Sequence, residues 1–98
     1  MYKDNISNKD FLFNIYLKIK ILLKENLKIL SKENKSLKEI NKLSNNNKKI
    51  INVIDYLLNI SENEALKNSF LNFEKLIIFN SINDQKKALN QINSLLKE

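Results

Sequence analysis

The sequence predicts an all-α protein, an antiparallel up-down four-helix bundle, and three observations carry that prediction. The 98-residue chain contains neither glycine nor proline, the residues that most tight β-hairpins need. Serine stands three residues before an acid at Ser7/Asp10, Ser36/Glu39, Ser61/Glu64 and Ser81/Asp84. That is the spacing of a capping box or its aspartate variant, in which the hydroxyl accepts a free first-turn N–H and the acid reaches back or complements the helix dipole. Each of these four starts precedes a run whose apolar residues recur at helical spacing.

The first helix is expected over residues 8–34, with Leu12, Ile15/Tyr16, Ile19, Leu22/Leu23, Leu27 and Leu30 on one stripe. The second is expected over residues 37–59, on Leu37, Ile40, Leu43, Ile50/Ile51, Ile54 and Leu57/Leu58. Its middle, NKLSNNNKK, is weak, because asparagine is a poor helix former and Asn47 falls where the stripe wants an apolar residue. The residues leave open whether the helix kinks or breaks between Ser44 and Asn47. The third helix, residues 62–79, uses Ala65/Leu66, Phe70, Phe73 and Leu76/Ile77, and the fourth, residues 82–97, uses Ala88/Leu89, Ile92 and Leu95/Leu96. Short connections make consecutive helices antiparallel neighbours. At this length the chain is one domain, able to bury roughly 65% of its unfolded surface without a disulfide or a metal.

Composition narrows the function. With no cysteine and no histidine, thiol chemistry, ordinary zinc sites and histidine acid–base catalysis are removed. The acids are spread one or two per helix, each explained as a cap or a surface charge, so no enzyme and no cofactor is expected. All 17 basic residues are lysine, and asparagine occupies 18 positions, a bias in the manner of AT-rich codons. The net charge of +6 is accordingly discounted. A nucleic-acid reader would deploy arginine for bidentate contacts, whereas these lysines are interleaved with glutamate, so no nucleic-acid partner is expected. The strongest candidate for one is the group Lys42, Lys48 and Lys49. No apolar run is long enough to insert in a membrane and the opening lacks a signal-peptide pattern, so a cytoplasmic protein is expected.

The first helix carries more apolar surface than a bundle helix needs, about three positions in seven. Phe11, Phe13, Leu17 and Ile21 lie off its main stripe. Two arrangements account for this surplus: a central first helix covered by the other three, or an open face for a partner polypeptide or a homodimer.

Ser7 to Tyr16, SNKDFLFNIY, resembles the start of the main helix in the flagellin-specific flagellar secretion chaperones, which read serine, proline, acids, then an apolar run closing on tyrosine. Ser7, Asp10, Phe11, Leu12, Phe13, Ile15 and Tyr16 fit that pattern. Asn8 replaces the proline and Lys18 a small residue. KKIINVIDYLLN at 48–59 is similar to that family's second long helix, EALKN at 64–68 to its next helix start, and KLIIFNSINDQKKALNQINSLLKE at 75–98 to its late turn and final leucine-rich helix. The opening MYKDN is similar as well. Departures include a shortened opening, a third helix about one turn short, and no aromatic tail. The resemblance implies a bundle that holds the disordered, amphipathic C-terminal segment of flagellin and prevents its premature polymerisation. The contacts it suggests are Phe11, Phe13, Tyr16, Leu17 and Ile21, with Tyr2 and Ile6 as a lid. The rival readings are a helical inhibitor or immunity-type module that binds another amphipathic polypeptide, and a basic helical module for nucleic acid or an anionic membrane surface.

Overall fold

The computed structural model describes residues 9–97, and all four expected helices are present: α1 Lys9–Leu30, α2 Leu37–Ile60, α3 Glu64–Phe79 and α4 Ile82–Lys97. Among the described residues there is no strand. The helices form a ring in which α1 is flanked by α2 and α4, and α3 by the same two. The nearly square 22 × 21 Å cross-section is that of four helices packed side by side. The chain is an all-α, up-down four-helix bundle.

Two of the four serine caps hold as expected. Ser36 accepts from the Glu39 N–H at 3.1 Å while Glu39 Oε1 accepts from the Ser36 N–H at 3.0 Å, a complete capping box. At α4, Ser81 Oγ accepts from the Asp84 N–H at 3.0 Å and donates to Asp84 Oδ2 at 2.7 Å. Ser7 lies outside the described residues. Ser61 is a correction: it is the C-cap of α2, its N–H bonded to Leu57 O, and its buried hydroxyl has no partner among the described residues. Asn63 caps α3 instead, accepting from the Leu66 N–H at 3.1 Å. Its side chain reaches an N–H three residues on as well as serine's does, so α3 starts two residues later than expected. α1 ends at Leu30 rather than at residue 34. Beyond it, Ser31 Oγ donates to Leu27 O at 2.6 Å, and the chain turns toward the Ser36 cap.

The apolar core gathers Tyr16, Ile19 and Leu23 of α1, Ile50, Ile54 and Leu57 of α2, Phe70, Phe73 and Ile77 of α3, and Ala88 and Ile92 of α4. Above it sits a layer of amides. Asn26 Nδ2 donates to Asn47 Oδ1 at 2.9 Å and to Gln85 Oε1 at 3.2 Å, and Asn46 Nδ2 donates to Asn26 Oδ1 at 3.0 Å. Asn47 Nδ2 and Gln85 Nε2 both donate to Asn80 Oδ1, at 2.8 and 3.3 Å. Asn80 itself is the left-handed C-cap of α3, with φ 55°, a conformation asparagine tolerates better than most residues. Buried amides are expensive unless bonded, and here each finds partners on other segments. This layer also explains why α2 runs unbroken through residues 44–47, which the sequence left open: the low helix propensity of Asn46 and Asn47 is offset by their side-chain bonds to other segments.

α2 has 24 residues and α1 has 22, but α3 and α4 have 16 each. At about 1.5 Å per residue, the first pair outreaches the second by roughly 10 Å. Because Asn47 bonds to Asn80 in the α3–α4 turn, the excess lies beyond the amide layer, where α1 and α2 continue alone. Ile29 and Leu43 are buried in that extension. Leu37 and Ile40, expected in the core stripe of α2, are instead 74% and 47% exposed, since no third helix rises high enough to cover them.

Candidate functional site

The corner position of α1 settles where its surplus apolar residues go, and they do not share one surface. Successive helical residues are rotated by about 100°, so Phe11 and Phe13 point to widely separated directions. Phe11 faces α2, where its ring meets Tyr56 edge-on at 6.5 Å between centroids and 68° between planes. Together with Ile15, Lys18, Asn52 and Val53 they line an open groove of about 370 Å3.

Phe13, Leu17 and Ile21, spaced four residues apart, run along the opposite flank as one stripe. Phe13 is 45% and Ile21 64% exposed, with Leu17 half-buried between them. α1 is thus neither central nor covered by all three other helices. Tyr16, read above as a partner contact, belongs to the core at 6% exposure, because it shares the inward stripe with Ile19 and Leu23. Tyr2 and Ile6 lie outside the described residues.

Further exposed apolar residues were not singled out in the sequence as partner contacts: Leu37 and Ile40 on the α2 extension, Leu71 in α3, and Ile78 and Phe79 at its end. The apolar run LIIF at 76–79 is the one available signal for the last two. For Leu37 and Ile40 periodicity pointed the wrong way.

Electrostatics differ along the chain. Over residues 18–49 ten lysines face three glutamates, whereas over residues 50–97 five lysines face five acids. Lys42 pairs with Glu25 at 3.0 Å, and Lys32 pairs with Glu39. The bond from Asn46, and then Lys42, hold Glu25 below the usual carboxylate range. Lys32, helped by the Ser36 N–H, brings Glu39 down to about 2. In the lower half the structure brings together two acids that the sequence scattered: desolvation, followed by a hydrogen bond to Asp55 and its charge, pushes Glu74 up to about 7. Among the described residues no group of three or more His, Cys, Asp or Glu is placed to hold a metal ion, and no helix is long and apolar enough to cross a membrane.

No family model, curated protein or solved structure matches this chain.

Proposed function

We propose that this chain is a helical-bundle chaperone that captures an amphipathic polypeptide segment along the outer face of α1. The C-terminal segment of flagellin is the client implied by the resemblance of SNKDFLFNIY and the late turn to the flagellar export chaperones. The observation that carries the reading is the open stripe of Phe13, Leu17 and Ile21, on a helix whose inward face is already saturated by core contacts. A partner helix laid on this stripe would bury its own apolar face there. Even roughly 800 Å2 of apolar contact gives a gross gain of about 20 kcal/mol, enough to exceed the several kcal/mol of ordering a disordered segment and leave ordinary affinity.

The test is a pull-down with a flagellin C-terminal peptide, using the wild type and the variants Phe13→Asp, Leu17→Asp and Ile21→Asp. Wild type should retain the peptide, and the variants should lose at least tenfold in retention while their helical circular dichroism is unchanged. Absence of retention by wild type removes flagellin as the client. Equal retention by all variants removes this face.

A further inference from the structure

We propose that the far end of the α1–α2 pair is a docking surface for the anionic headgroups of a phospholipid bilayer, engaged peripherally and without a spanning segment. The proposal rests on what the fold does to charge. A lysine excess already runs through residues 18–49 of the sequence, and the antiparallel pairing of α1 and α2, tied by the bonds of Asn26 to Asn46 and Asn47, folds residues 24–30 against residues 37–49. Beyond the amide layer Lys28, Lys32, Lys35, Lys38 and Lys42 then share one end of the molecule with Glu33 and Glu39, and Lys24, Lys48 and Lys49 lie within one turn of that layer. All of these lysines but Lys35 are exposed. Charges within the screening length of about 8–10 Å of one another reinforce each other toward a large anion.

The local geometry adds a receptacle. Lys28, Lys32, Lys38 and Lys42, with Glu25 and Glu39, line an open groove of about 460 Å3 floored by Ile29. Glu25 and Glu39 take up Lys42 and Lys32, so Lys28 and Lys38 are left without an ion-pair partner among the described residues. At the start of α2, directly beyond the connection, Leu37 and Ile40 are 74% and 47% exposed on successive turns. At about 100° per residue they project from the flank of α2 opposite Lys38 and Lys42. End-on docking, with the α1–α2 connection against the bilayer, is therefore what brings both to one interface, where lysine contributes electrostatic attraction and the aliphatic groups enter the acyl boundary. They fit nucleic acid poorly: between residues 18 and 49 there is neither an arginine for bidentate contacts nor an aromatic ring on which a base could stack.

The experiment is co-sedimentation of the full chain with vesicles of phosphatidylcholine alone and with about one third phosphatidylglycerol. It should be repeated at about 50 and 200 mM salt, with duplex DNA as a parallel ligand. The expected result is binding to the anionic vesicles only, weakened at the higher salt. At roughly fivefold per lysine near the surface, Lys28→Gln/Lys38→Gln should cut partitioning by about twenty-fold. Leu37→Gln/Ile40→Gln should reduce it several-fold without changing the salt dependence. Neither pair of substitutions touches the core, so both variants should keep the wild-type circular dichroism. Binding of anionic vesicles that both variants leave unchanged would overturn the proposal, as would DNA binding without vesicle binding, or no preference for anionic vesicles. These residues are distinct from Phe13, Leu17 and Ile21, so failure here leaves the polypeptide-binding reading standing, and the converse holds.

Discussion

Below the amide layer four helices enclose Phe70, Phe73, Ile54 and their neighbours almost completely; above it two helices stand alone, with Leu37 and Ile40 in water and lysine predominating. The same periodic pattern runs through both stretches of α2, yet Ile54 is buried and Ile40 is not. An apolar stripe therefore specifies a face, and only the lengths of the other helices decide whether that face becomes interior. Stability should be concentrated in the four-helix half, leaving the two-helix end available for contacts with other molecules.

Truncating a core ring gives the most forceful test of that contrast. Phe70→Ala should cost about 3–5 kcal/mol in urea denaturation, whereas Leu37→Ala, at a site already in water, should fall within about 0.5 kcal/mol. Comparable costs at the two sites would mean that the far end contributes to the core as much as the lower half does. At the boundary between the halves, Asn26→Ala removes three amide bonds and strands Gln85 Oε1, which loses its donor. A loss of about 2–3 kcal/mol is expected, with amide-exchange protection falling first in residues 37–46. Uniform loss of protection along α2 would contradict a seam at this level.

The smallest effect concerns pH in the lower half. Glu74 ionises near 7 in the folded chain against an ordinary value of 4.5. Between these values the folded state keeps a proton that the unfolded state has released, so stability should fall as pH rises through this window. With a half-buried, partly solvated carboxyl the change should be about 1 kcal/mol. Urea midpoints at roughly pH 5 and pH 8 should differ in the wild type and converge in Glu74→Gln. A midpoint that rises with pH would place the shift elsewhere.

Much of the fold is legible in the residues themselves. The Ser36/Glu39 and Ser81/Asp84 signals mark true helix starts, because cap chemistry is local and needs no tertiary partner. Ser61 misleads for the same reason: a competing cap, Asn63, stands two residues away, and local rules alone do not choose between them. Asn46 and Asn47 leave the continuity of α2 undecided in the sequence because their partners, Asn26, Asn80 and Gln85, are 20 to 38 positions distant in the chain. The surplus apolar character of α1 was visible, but its division between a groove with Tyr56 and a separate outer stripe depends on which corner α1 occupies. The lysine excess between residues 18 and 49 is legible in the sequence, but only the reversal after Leu30 brings its two halves to one end.

The amide layer also acts as a ruler. Five side chains from four segments meet at one height, and each has donors and acceptors that an isoleucine or leucine could not satisfy. Sliding either helix pair by a single turn, about 5.4 Å, would set Asn26 or Gln85 among hydrocarbon and leave its bonds unmade. Greasy contacts alone would forgive such a slip, since one aliphatic residue substitutes readily for another; the amides do not.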